Sequence, residues 1–119
     1  MNCRAVRGAI TVQNNDAREI LAAAKSLLLS LVDKNKIAKE DIVSIVFSVT
    51  EDLDAAFPAA AARELGWNLA PMLCSYEMSV PGSLPKCLRA LLTFNTDKKQ
   101  EELLPQYLEG AAVLRPDLT

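Results

Sequence analysis

Between Arg4 and Val32 the spacing of apolar residues changes period, and that change restricts the chain to a mixed fold. Residues 4–12 alternate, with Val6, Ile10 and Val12 on one face and Ala5, Arg7, Ala9 and Thr11 on the other, the period-two pattern of a half-buried strand. Asn14-Asn15-Asp16 offers a turn, and Asp16 with Glu19 has the spacing of a capping box. Ile20, Leu21, Ala24, Leu27, Leu28, Leu31 and Val32 then recur at helical spacing, which predicts a helix to about Lys34. A strand that feeds an amphipathic helix sets up a layered arrangement of sheet and helix.

The remaining segments extend that arrangement. Residues 41–50 read as a second strand, Ser44 and Ser48 alternating against Val43, Ile45, Phe47 and Val49. Phe57-Pro58 precedes an alanine run ending at Leu65-Gly66, a short helix with Pro58 in its first turn and Gly66 as its terminator. Residues 69–76 and 87–96 read as the third and fourth strands, joined by a loop over 78–85 that contains Pro and Gly. Residues 98–108 read as a weak helix interrupted by Pro105, 111–114 as a last short strand, and 115–119 as a tail free to fray or to fold over a ligand. The order β-α-β-α-β-β predicts an α+β domain, an α/β-type mixed sheet with helices on one face. One domain over residues 1–119 accommodates it. Hydrophobic residues make up 50% of the chain and the mean hydropathy is +0.12, high for so small a domain, so apolar surface is expected to be buried against other subunits.

The 13 basic and 15 acidic residues nearly cancel, and with a pI near 5.1 there is no basic face to argue for nucleic acid. Residues 1–10 lack the apolar core of a signal peptide. Residues 20–32 are broken by Lys25 and too short to span a bilayer, so a soluble cytoplasmic protein is expected. Cys3, Cys74 and Cys87 are odd in number and widely spaced, which fits neither a disulfide framework nor a zinc site. The chain has no histidine, which removes the commonest general base, the Ser-His and Cys-His nucleophile pairs and the commonest metal ligand together.

Chemistry must therefore rest on Arg, Glu, Lys, Tyr or Cys. The richest stretch is Cys74-Ser75-Tyr76-Glu77-Met78, followed by Arg89 in Cys87-Leu88-Arg89, which sets a thiol, a carboxylate and a guanidinium on neighbouring segments. Each residue also has a structural reading: Arg7 as an exposed strand arginine, Arg89 as the ion-pair partner of Glu77, Cys74 as a small buried apolar group, Tyr107 as a partly packed aromatic, Arg63 and Arg115 as surface charges. Taken together, Arg7, Arg63, Arg89 and Arg115 supply four permanent cations able to hold carboxylates in fixed forks, which suits a small organic dianion. With no metal motif, glycine-rich phosphate loop or nucleophile-base pair, the chemistry left is electrostatic stabilisation of a charge-separating transition state. From the residues alone this gives a ligand class and no reaction.

Arg7-Gly8-Ala9, Phe57-Pro58-Ala59 with Arg63, Cys74-x-x-Glu77-Met78, Gly82, Cys87-x-Arg89, and Tyr107-Leu108 leading to Leu114-Arg115-Pro116-Asp117-Leu118 together resemble the monofunctional trimeric α/β class of chorismate mutase, over nearly the whole chain. The resemblance implies a homotrimer whose sheets form a closed, barrel-like core with a site at each subunit interface. It also implies the Claisen-type rearrangement of chorismate to prephenate, on the way to phenylalanine and tyrosine, with no cofactor and no metal. On that resemblance Arg89 would donate to the ether oxygen, Arg7 and Tyr107 would hold carboxylates, and Glu77 and Cys74 would address the ring hydroxyl. Phe57 and Ala59 would wall the pocket, with Leu114, Arg63 and Arg115 near its mouth. The chain departs from the family pattern at Ala60, where a basic residue is expected near the entrance, and at Ile10, where threonine is more usual. Two rival readings are a non-catalytic trimeric sensor of a small carboxylate and a trimeric hydrolase of imines or enamines.

Overall fold

The computed structural model describes residues 1–118. Five strands, β1 (Asn2–Thr11), β2 (Ile42–Val49), β3 (Met72–Tyr76), β4 (Cys87–Thr96) and β5 (Gln106–Leu108), form one sheet in the order β3-β2-β4-β1-β5. Helix α1 (Ala17–Asn35) links β1 to β2, and α2 (Ala59–Glu64) links β2 to β3. β4 runs antiparallel to both its neighbours, β1 and β2, while β3 and β5 add in parallel at the two edges, so the sheet is mixed as expected.

The helix boundaries follow from local chemistry. The Asp16 carboxylate accepts the Glu19 N–H at 3.2 Å, the first half of the expected capping box. The Glu19 carboxylate, however, reaches back past the cap to Asn14, accepting from its N–H at 3.2 Å and its side-chain amide at 3.0 Å. Ile20, Ala24, Leu27, Leu28 and Leu31 turn inward and are fully buried against Val6, Ile10, Leu88, Leu92 and Phe94. Apart from Ala24, each of these side chains contributes roughly 1.5–3 kcal/mol by leaving water. Gly8 permits the close approach: a Cβ there would meet Leu27 Cδ1 at 2.8 Å and the Gln106 carbonyl at 2.9 Å, so a larger residue would push both α1 and β5 off β1.

Four expectations need correction. The second strand has a bulge between Ile42 and Ser44, which turns Ile42 into the core and leaves Val43 40% exposed. The third strand begins only at Met72, since Pro71 has no N–H to give and Leu69 stands fully in solvent. In place of a helix over 98–108 there is a single 3-10 turn, Gln100–Glu102, followed by extended backbone into β5, because the residue before Pro105 is driven out of the helical region. In place of a strand over 111–114, Glu109 turns at φ 53 and Glu109–Leu114 winds as a 3-10 helix that seats Ala111 on Ala9 and Cys87. The tail expected over 115–119 starts with Arg115 and continues as a 3-10 turn, Pro116–Leu118; Thr119 lies outside the described residues. Among the described residues no helix is long and apolar enough to cross a membrane.

Candidate active site

Strand register gathers the polar residues that the sequence leaves scattered. On the face turned away from the helices, Ser48 pairs with Arg89, Arg89 with Ala9 and Ala9 with Tyr107, so these residues form one row across β2, β4, β1 and β5. Arg7 stands in the next row, opposite Leu91. Ala9, between Arg89 and Tyr107 in that row, is itself buried under Ala111, Tyr107 and Leu114. Glu77, just past β3, extends the ladder by donating its N–H to the Val49 carbonyl at 2.9 Å, which fixes where its side chain leaves the backbone. Its carboxylate Oε2 accepts from Ser48 Oγ at 2.7 Å and lies 3.8 Å from Arg89 Nε.

That last separation is too long for a hydrogen bond. Among the described residues Arg89 Nε is a buried donor with no hydrogen-bond partner, although the side chain as a whole is about a third exposed. A buried N–H left unpaired costs free energy unless something completes it, and Arg89 lines a cavity of about 190 Å³ together with Arg7, Ser48, Glu77, Leu91 and Tyr107. Beneath the guanidinium, burial pushes the Cys87 thiol above its ordinary pKa, against the weaker opposing pull of Arg89. The thiol therefore stays neutral at physiological pH and does not cancel the Arg89 charge.

The remaining candidates are spread over several other positions. Leu114 packs with Tyr107, Ala9, Cys87 and Ala111, closing one side of the row. Arg115 shares a neighbouring cavity with Arg7 and Tyr107, and its guanidinium grips Asp117 through Nε at 3.1 Å and Nη2 at 2.9 Å; that contact raises the Arg115 pKa and lowers that of Asp117. Cys74 pairs with Phe47 and so faces the helices, opposite to Glu77. It lines a separate cavity of about 360 Å³ with Phe57, Pro58 and Tyr76, where Phe57 is 72% exposed. Ala59 is turned into the main core, and Arg63 is exposed on α2 outside both cavities. Within one chain the structure thus brings together Arg7, Glu77, Arg89, Tyr107, Leu114 and Arg115, and holds Phe57 and Cys74 apart from them. Ser48 is the partner that sequence reasoning missed; its alternation with apolar residues marked the strand face, but only the register shows which carboxylate it meets.

Comparison with known proteins gives this arrangement a family. The model of chorismate mutase type I matches residues 3–118. The chain is 45% identical to chorismate mutase AroH of Bacillus subtilis (strain 168), over 100% of this chain and 94% of that protein. It is also 45% identical to chorismate mutase AroH of Thermus thermophilus, over 97% of this chain and 95% of that protein. A solved chorismate mutase from Clostridium thermocellum superposes with a TM-score of 0.90 at 50% identity, covering 92% of this chain and 97% of the other.

Proposed function

This chain belongs to the chorismate mutase type I family, and on that premise we propose that Arg89 is its principal catalytic residue, at a site completed between copies of the chain. The activity is the isomerisation of chorismate to prephenate, a step of aromatic amino-acid biosynthesis. In this rearrangement one carbon–oxygen bond breaks as one carbon–carbon bond forms within the same molecule. No proton has to be moved and no nucleophile is needed, which suits a chain without histidine.

The unpaired Arg89 Nε–H carries the reading. If carbon–oxygen cleavage runs ahead of carbon–carbon formation, the ether oxygen gains negative charge in the transition state, and a fixed donor beside it lowers the barrier more than it favours the ground state. Glu77, held by Ser48, keeps the guanidinium oriented without consuming that donor, and with Cys74 addresses the ring hydroxyl. Arg7 and Tyr107 hold carboxylates, with Arg115 and Arg63 guiding the dianion and Leu114 and Phe57 forming walls, while Ala59 acts from the core beside Phe57. Folding the flexible side chain of the substrate over its ring supplies the rest, since a held reactive conformer avoids the entropic cost of finding it.

Size and surface support a shared site. The cavity at Arg89 is about 190 Å³, short of the roughly 300–1,000 Å³ usual for ligand pockets, so a second wall is required. On the same open face Leu73, Val46 and Leu91 stand in one row, exposed by 70%, 40% and 40%, the kind of apolar strip that another copy covers. We take the assembly to be a homotrimer in which the Phe57 and Cys74 cavity of one protomer faces the Arg89 cavity of the next. Residues 1–119 act as one domain, and the three free thiols fit a reducing cytoplasm.

The deciding experiment is incubation with chorismate, following loss of its ultraviolet absorption and converting the product with acid to phenylpyruvate. Prephenate is expected; unaltered ligand would return the sensor, and ammonia from an imine the hydrolase. Sharing is tested by mixing Arg89→Lys with Phe57→Asp chains. Each alone should be nearly inactive, while mixed assemblies should regain activity at sites that pair two intact halves; no recovery after verified subunit exchange would place all site residues in one protomer.

A further inference from the structure

We infer that Asn35, at the last turn of α1, is a positioning residue for Tyr107, a role that rests on the carboxylate-binding part given to Tyr107 above. β5 pairs with β1 over only three residues, Gly8 with Gln106, Ala9 with Tyr107 and Ile10 with Leu108. So short an edge strand does little to fix a side chain, yet a displacement of about 1 Å at a binding group is enough to cost catalysis severely. Something besides the ladder has to place it.

Among the described residues Asn35 is the one polar side chain in the buried set, at 1% exposure. Its amide Nδ2 donates to the Leu31 carbonyl at 2.9 Å and the Leu104 carbonyl at 3.1 Å, and its Oδ1 accepts the Leu104 N–H at 2.7 Å. One amide thus engages both backbone groups of Leu104, as a neighbouring strand would, at a place where no strand is available. The Leu104 side chain is 52% exposed, so the segment is held there through its backbone. The helix does not need this amide to end, since Lys36 at φ 55 already caps it. Ser30, one turn earlier on α1, adds a second tether by donating to Gln106 Oε1 at 2.7 Å, and Gln106 Nε2 returns to the Leu104 carbonyl at 3.1 Å. On the far side of Tyr107, the Gly110 N–H donates to Thr11 Oγ1 at 2.8 Å. Tyr107 is therefore suspended between two side-chain-to-backbone clamps, of which the Asn35 clamp, anchored on a buried amide, is better shielded from water than the exposed Thr11 contact and so better keeps its geometry.

The test is a double-mutant cycle on the full chain, with chorismate as substrate. Asn35→Ala should raise KM about tenfold while moving kcat far less, and in a Tyr107→Phe background the same change should add less than about twofold, because the group it positions is already gone. Equal penalties in both backgrounds would reduce Asn35 to a stability residue and sink the inference while leaving Tyr107 in place. A Tyr107→Phe enzyme with unchanged KM would instead refute the role of Tyr107, and this inference with it. If Asn35→Ala does not fold, Ser30→Ala carries the same cycle: coupling to Tyr107→Phe is expected, and strict independence overturns the clamp.

Discussion

The ten residues of β4 divide into two sets that do different work. Leu88, Ala90, Leu92 and Phe94 face α1 and are 0–2% exposed, whereas Arg89, Leu91 and Thr93 face the open side of the sheet, where one guanidinium donor is left unpaired and Leu91 stands 40% exposed. The covered set follows ordinary packing rules and would serve any sheet beneath a helix. The open set breaks those rules, with a charge in an apolar strand and apolar surface toward solvent. The contrast teaches that one strand can present a packed face and, opposite to it, the face proposed for chemistry, so alternate substitutions along β4 should tell the two apart.

The largest effect expected from this contrast is on the covered face. Phe94→Ala should remove about 3–5 kcal/mol of unfolding free energy, read from urea denaturation, with turnover per folded molecule unchanged. A variant that keeps its stability but loses turnover would break the comparison. Next is Arg89→Lys, which leaves a charge but cannot reproduce the guanidinium geometry. It should cost about 2.7–4 kcal/mol of transition-state stabilisation, the usual worth of one such donor. Its unfolding free energy should stay within about 0.5 kcal/mol of the parent. Activity within a few-fold of the parent would remove Arg89 from the mechanism. Smaller again is truncation after Leu114, which deletes Arg115 at the edge of the open face. It should raise KM severalfold and spare kcat, since a charge near the entrance guides the dianion without touching the charge made later; an unchanged KM would detach the tail from the site.

The same division explains what could be read from sequence. β4 is legible to its exact ends, Cys87–Thr96, because a run rich in Leu, Thr and Phe follows directly on a loop that contains Pro and Gly, and Arg89 stands out because a guanidinium amid Leu and Ala needs a reason to be there. The pairing of Arg89 with Glu77 was legible as chemistry, but its distance was not, because that depends on β2 lying between β3 and β4. β5 was misread as helix because three residues carry no period, and its place is set by Gly8 and by side chains of α1 remote in the chain. Cys74 and Glu77 were read together from adjacency, whereas an odd spacing along extended backbone sends them to opposite faces. The bulge at Ile42 left no mark because Ile42 and Val43 are equally apolar.

The smallest expected effect tests the open face most finely. Ser48 Oγ donates to Glu77 Oε2, the same oxygen that stands 3.8 Å from Arg89 Nε. Without the hydroxyl that carboxylate is free to close on the guanidinium and occupy the donor proposed for the ether oxygen. Ser48→Ala should therefore lower kcat by about twofold, the low end for a partly exposed hydrogen bond, with KM and stability nearly unchanged. A gain in kcat would mean that Glu77 helps more when closed on Arg89. A loss confined to KM would mean that Ser48 meets the substrate itself. Only a fall in kcat alone fits a face on which a side chain outside the reaction keeps a charged pair apart until the transition state forms between them.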